Sequence, residues 1–177
     1  MMAQYISVKE RYQETLLFYR MGDFYEMFFH DAEVAAEVLG IALTHRGKIE
    51  DCDIAMCGVP VHALDGYLAR LIQRGYKVAI CEQSETPESF KKRGGKGPLP
   101  REVVRVVTPG TLQEDDLLQA HKHNFLAAIG RVSAELAIAW ADMSTGEFFV
   151  QPCAEADIET LLARLQAAEL IYADDLA

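Results

Sequence analysis

Two apolar runs, Leu16 to Met21 and Phe24 to Phe29, are separated only by Gly22-Asp23. A two-residue Gly-Asp break between such runs is a hairpin signal, so this segment is committed to two antiparallel strands. Side chains alternate faces along a strand, which puts Phe24, Glu26 and Phe28 on one side and Tyr25, Met27 and Phe29 on the other. Both faces are aromatic. One also carries a carboxylate, roughly 7 Å beyond the Phe that opens it at ~3.4 Å per residue. Core packing alone does not ask for Glu26.

Around the hairpin the pattern alternates between helix and strand. Tyr5, Ile6, Val8 and Tyr12 are spaced for a short amphipathic helix within Gln4 to Glu14. Asp31 is placed to cap a helix carrying Val34, Ala35, Val38 and Leu39, with Gly40 just past its end. Ile41 to Thr44 reads as a strand ending at a basic corner, His45-Arg46-Gly47-Lys48, and an acidic turn follows from Glu50 to Asp53. Ile54 to Val61 is a strand or extended loop. Leu64, Leu68, Leu71 and Ile72 mark a second helix that closes near Gly75, and Lys77 to Cys81 a buried strand. Ser84 to Pro100, with Pro87, Pro98, Pro100 and Lys91, Lys92, Arg93 and Lys96, reads as a mobile basic loop. Glu102 to Val107 is a strand stopped by Thr108-Pro109-Gly110. The predicted class is α/β, a mixed sheet with at least one antiparallel hairpin.

A second unit begins beyond Leu112, giving predicted domains at 1–112 and 113–177. Strands around 124–130, 135–143 and 147–151, a helix at 156–167 and a strand at Leu170 to Tyr172 match the opening of an RNase H-like sheet. That sheet reads as unfinished, as in a fragment of a longer protein. Charge divides at the same place. The formal net charge is −10, yet through Leu112 there are 14 Lys and Arg against 15 Asp and Glu, and from Gln113 onward 3 against 12. The first unit is thus near neutral, with its own basic cluster, which keeps nucleic-acid binding open despite the acidic total. Charge asymmetry of this size suggests two units with different partners. No apolar run approaches the ~18 residues of a membrane span, and the start lacks a secretory pattern, so the expected compartment is cytoplasmic. The four cysteines have no zinc or redox spacing and read as reduced, buried thiols.

Phe24 and Glu26 admit two readings. In the structural one, Phe24 packs beneath its own hairpin and Glu26 pairs with a neighbouring Lys or Arg. In the functional one, Phe24 is a wedge pushed between base pairs from the minor groove, a device that unstacks and kinks the duplex. The cost of unstacking falls at a mismatched or unpaired base, so such a wedge senses mismatches. Near phosphates Glu26 is disfavoured unless it accepts a hydrogen bond from a base edge or is protonated, and either gives it a discriminating role. Arg46, Lys48 and Arg105 are candidate phosphate contacts. Gly94-Gly95-Lys96-Gly97 lacks phosphate-loop spacing. Asp142 sits where a nuclease sheet can carry a metal carboxylate, but one acid makes no two-metal site. His121 and His123 form no triad, and no catalytic or metal-binding residue is predicted.

Taken together, these residues resemble the amino-terminal part of the bacterial MutS DNA mismatch-repair family. The resemblance rests on Thr15 to Glu26 with its Phe-x-Glu motif, Leu43-Thr44-His45-Arg46-Gly47, Met56 to Pro60 with His62-Ala63, Ala79 to Gln83, Val103 to Thr111 and Asp142 to Phe148. It implies a mismatch-recognition domain followed by part of a connector domain that is RNase H-like without nuclease activity. By resemblance, Phe24 stacks on the mispaired base and Glu26 hydrogen-bonds to it. Met21, Gly22 and Asp23 frame them, and Arg46, Lys48 and Arg105 contact DNA nearby. The implied partners are mismatched double-stranded DNA and, through the connector, a MutL-like protein. The full-length family member is a homodimeric ATPase using ATP and Mg²⁺. This chain carries no Walker motif, so the expectation is a monomeric, non-catalytic piece without a cofactor; the alternative is a protein-interaction module that reads no DNA. Two departures stand out: Val61 replaces a common Tyr, and the loop from Ser84 to Pro100 is longer and more basic than usual.

Overall fold

The computed structural model describes residues 1–49, 52–112 and 123–173. Glu50 and Asp51 of the expected acidic turn, His121, and the residues just after the expected boundary at Leu112 lie outside them. The chain forms two compact units, Met1–Val107 and Thr108–Ala177.

The first unit is a six-stranded mixed sheet with helices on both faces. In chain order it comprises α1 (Met2–Lys9), β1 (Leu16–Met21), β2 (Phe24–Phe28), α2 (Phe29–Leu39), β3 (Thr44–Ile49), β4 (Cys52–Pro60), α3 (Leu64–Ile72), β5 (Val78–Gln83), α4 (Pro87–Lys92) and β6 (Arg101–Val107). The strand order is β3-β4-β2-β1-β5-β6. Only the β1·β5 pair in this sheet is parallel. That pairing needs a long crossover, which the chain from β2 through α3 provides. Strand β1 is central, and Leu17, Phe18 and Tyr19 are fully buried, as expected for an apolar strand covered on both sides. On one face Tyr5 and Val8 of α1 pack over Leu17, Tyr19, Phe28, Ile54, Ala79 and Cys81. The other face, with Phe18, Tyr25, Met27 and Val59, is covered by α2 and α3.

Three local readings of this unit change. Asp31 is not the cap of α2; it lies inside the first turn and is buried, accepting hydrogen bonds from Leu17 N at 3.0 Å and Lys9 Nζ at 2.9 Å. A carboxylate buried beside an ammonium and an amide is worth more as a tertiary tie than as a cap. The strand expected at Ile41 to Thr44 begins only at Thr44, so the basic corner lies within β3, where the pairing with β4 shifts register between His45 and Lys48. Gly47 takes φ 71° inside that bulge, a conformation glycine adopts without a Cβ clash. The segment from Ser84 to Pro100 holds a helix, α4, where a mobile loop was expected. Thr86 caps it through Ser89 N, Pro87 fits its first turn, and the half-turn beyond packs Gly95 against the Phe90 ring, too close for any Cβ. Ser84 N closes the base of the excursion on Pro100 O at 3.0 Å. Gly40, by contrast, ends α2 in the left-handed conformation as its position predicts.

The second unit has β7 (Phe125–Val132), β8 (Glu135–Asp142), β9 (Glu147–Cys153), α5 (Ile158–Leu165) and β10 (Glu169–Tyr172), with strand order β10-β7-β8-β9. The first three strands are antiparallel and β10 returns parallel to β7, the predicted sequence of three strands, a helix and a strand. The helix is shorter than expected, because Glu155–Asp157 forms a separate 3₁₀ turn ahead of it. A short turn at Pro109–Thr111 belongs to this unit: Gly110 N donates to Glu169 and Asn124 Nδ2 to the Pro109 carbonyl. The core here is small, centred on Ala127, Leu136, Ile138 and Leu161.

Candidate nucleic-acid interface

The hairpin forms as the sequence dictates, except that β2 ends at Phe28, and Phe29, expected on the Tyr25 face, opens α2 and packs on the Tyr5 side. Met21 pairs with Phe24 across Gly22-Asp23, and Gly22 takes φ 62°, the left-handed conformation that a tight turn requires. The turn is held from two sides. Arg20 Nε donates to the Gly22 carbonyl, and Val61 N donates to the Asp23 carbonyl at 2.9 Å.

Along β2 one face changes character over five residues. Phe28 is buried edge-on against Tyr5, the Glu26 side chain is 17% exposed, and Phe24 is 47% exposed at the tip. The cover given by α1 thus ends before the hairpin does, and Phe24 is not packed beneath its own strands. Glu26 does have a basic partner: Arg46 Nη1 lies 2.6 Å from Glu26 Oε2. Gly58 opposes Glu26 on β4, and a Cβ there would touch Glu26 Cγ at 3.7 Å and Phe24 Cδ1 at 3.9 Å. Those are ordinary contacts, but a side chain extending beyond Cβ would push between Glu26 and Phe24. The role of Gly58 was not evident from the sequence, where it read only as one small residue of a strand.

The remaining predicted residues are not all gathered here. Lys48 lies on the exposed edge strand β3 and faces Asp53 at 3.7 Å. Arg105 pairs with Ile80 on β6, which places it on the sheet face opposite Phe24 and at the far edge from β3.

Two supports behind the hairpin were not read from the sequence. Arg101 places its guanidinium 4.8 Å from the Tyr19 ring centroid, and it donates to the Arg20 carbonyl at 2.8 Å and the Leu99 carbonyl at 2.9 Å. It thereby ties β6 to the end of β1 across an intervening strand. On the opposite face the Tyr25 hydroxyl donates to Glu82, whose carboxylate also lies 3.5 Å from Arg20. Burial, with the Glu82 hydrogen bond adding to it, pushes the Tyr25 hydroxyl up to about 12, so it stays a donor at neutral pH. The thiols follow burial too. Cys57 and Cys81 are buried and pushed up to about 12 and about 11 by desolvation, whereas Cys52 is exposed and Cys153 half-buried, against the expectation of four buried thiols.

In the second unit Asp142 is 2% exposed and accepts from Ser144 N and Oγ and from Asn124 N, with His123 Nδ1 at 3.4 Å. Burial works to raise its carboxyl, but the hydrogen bonds from Ser144, Asn124 and His123 win and hold it below the ordinary Asp range. Its oxygens are occupied in closing a turn. No group of three or more His, Cys, Asp or Glu able to hold a metal occurs among the described residues, nor any helix long and apolar enough to cross a membrane.

The first unit coincides with a known family domain: the model of MutS domain I matches residues 1–116, and that of MutS domain II matches residues 124–177. The chain belongs to the MutS family. It is 59% identical over 175 residues to the DNA mismatch repair protein MutS of Ruegeria pomeroyi, and equally so to that of a Cereibacter sphaeroides strain. It is 55% identical over 174 residues to the MutS of Paracoccus denitrificans. Each comparison covers 98 or 99% of this chain but 20% of the relative, so the chain spans about a fifth of the length of these MutS proteins.

Proposed function

We propose that this chain recognises mismatched or unpaired bases in duplex DNA, with Phe24 as an aromatic wedge entering from the minor groove and Glu26 as the acceptor that tests the displaced base. The observation that carries the reading is the exposure of Phe24, 47%, at the tip of a hairpin whose every other aromatic is buried or nearly so. An aromatic ring presented at the end of a braced strand is placed to be covered by a partner, and a base step is such a partner. Arg46 supplies positive charge on the Phe24 face, where it reaches Glu26; Lys48, paired with Asp53, lies on the other face of the same edge strand and contacts phosphate only if the duplex wraps that edge. Arg105 belongs to the phosphate-contacting set only if the duplex or a bent segment of it also reaches the β6 edge. Met21, Gly22 and Asp23 set the angle of the wedge.

The acidic second unit is proposed as the docking side for a MutL-like partner. Nucleotide chemistry, with ATP and Mg²⁺, and homodimer formation belong in this reading to the whole MutS protein, and this chain acts without a cofactor and as a monomer.

Titration with a short duplex carrying one mismatch, against its matched control at low salt, tests the wedge. Weak binding that favours the mismatch is expected, with the preference lost in Phe24→Ala. Mismatch-independent binding that Phe24→Ala leaves intact would sink the assignment.

A further inference from the structure

The ion pair between Arg46 and Glu26 raises a question that the wedge alone does not answer. A recognition carboxylate near the duplex repels every phosphate around it, on matched and mismatched DNA alike. The arrangement on β2 and β3 deals with this locally. Arg46 Nη1 holds Glu26 Oε2 at 2.6 Å, and Oε1 accepts no hydrogen bond from any described residue. The Glu26 side chain is 17% exposed and that of Arg46 43%, so the contact is partly shielded and the guanidinium still reaches water. Arg46 comes from the bulged stretch of an edge strand whose six residues are all exposed, so no packing fixes it in place.

We infer that Arg46 is a positioning residue for Glu26, fixing Oε2 so that Oε1 is presented to the displaced base and cancelling the carboxylate's repulsion of phosphate. This rests on the proposed role of Glu26 and adds a second requirement, that the pair and not the acid alone sets discrimination. A guanidinium matches a carboxylate in geometry as well as charge, so lysine at 46 keeps the charge but loses the fixed orientation. With Arg46 absent, Glu26 stands as an uncompensated negative charge beside the duplex. With Glu26 neutral as well, that penalty disappears. An Arg46 that merely touched a phosphate would behave differently, since its removal would cost the same whatever occupied position 26.

The test is a double-mutant cycle on the 177-residue chain. Wild type, Glu26→Gln, Arg46→Ala, the double variant and Arg46→Lys are titrated with a single-mismatch duplex and its matched control at two salt concentrations. Arg46→Ala is expected to weaken binding of both duplexes. That loss should shrink by about threefold to fivefold in the Glu26→Gln background, the scale of coupling measured for partly exposed ion pairs. Arg46→Lys should recover affinity more than it recovers the mismatch preference. Unchanged melting of each variant shows that folding is not the cause. An additive cycle, or a salt slope that falls equally in both backgrounds with the mismatch preference intact, overturns the inference and leaves Arg46 a plain phosphate contact. Phe24→Ala in the same series reads the wedge separately: an unaltered mismatch preference there defeats the underlying function, whatever the cycle gives. Failure of the wild-type chain to bind any duplex at the lower salt overturns both.

Discussion

Each unit buries a carboxylate, and the two are satisfied in different ways. Asp31 in the first unit sits beside a cation, with Lys9 at 2.9 Å and the Leu17 amide at 3.0 Å. It joins α1, β1 and α2, three elements that propensity alone does not bring together. Asp142 in the second unit is held mainly by amide and hydroxyl donors, from Ser144 two residues on and Asn124 on the neighbouring strand's approach. It closes a turn. The difference tracks what each unit must do with its core. The first sets a hairpin on a two-sided scaffold, which demands long-range ties. The second is a single sheet with a small core, and on the edge strand β9 Phe148, Phe149 and Val150 are all exposed.

Removing each acid should separate the two cases. Asp31→Ala is expected to cost about 2–4 kcal/mol, because it leaves the buried Leu17 amide without its acceptor and the partly buried Lys9 ammonium, still bonded to the Gln13 and Thr15 carbonyls, without its counter-charge. The loss should be read by urea unfolding followed by circular dichroism. Asp142→Ala should cost less, about 1–3 kcal/mol. Trp140, the chain's single tryptophan, stacks on Phe149 in the same sheet and makes fluorescence a selective reporter of it. The pH dependence has a defined sign. The folded-state carboxyl of Asp142 is held below its unfolded value, so its contribution is full above the unfolded value and is lost as pH falls through the folded one. The stability gap between wild type and Asp142→Asn should therefore be greatest at neutral pH and close below pH ~4. A gap that widens in acid contradicts the hydrogen-bonded carboxylate. The smallest effect is expected at the tip: Phe24→Ala should alter stability by no more than about 0.5 kcal/mol, since the ring contributes little packing. Cooperative loss of the first unit in that variant would return Phe24 to the core and favour a protein-interaction module over a DNA reader.

Local signals in the sequence were reliable where local chemistry decides. Gly22-Asp23 forced the hairpin, Gly40 ended α2, and the strand and helix order of the second unit followed from its periodicity. What the sequence hid was tertiary. Asp31 looks like a cap because it precedes a helical pattern, but the donors that claim it come from residues 9 and 17. Arg101 could not be singled out, since the carbonyl it holds is 81 positions away. At the candidate site, Phe24 and Glu26 were legible as an odd pairing on one strand face. Their neighbours were less so: the structure brings Arg46 onto Glu26, puts Lys48 and Arg105 on the other face, and sets Gly58 opposite Glu26 beside the Phe24 ring.

The order in which the polypeptide is made bears on the central position of β1. Its parallel neighbour β5 starts at Val78, and the Arg101 guanidinium that grips the Arg20 carbonyl comes later still. A nascent chain that has emerged only as far as α2 holds the complete hairpin but has one side of β1 still unpaired. Non-local pairing of this kind is slow to form and leaves strand edges open meanwhile. Until β5 and β6 have been made, then, the unit has its hairpin before it has the frame to hold it, and an apolar edge meanwhile in need of protection from wrong partners.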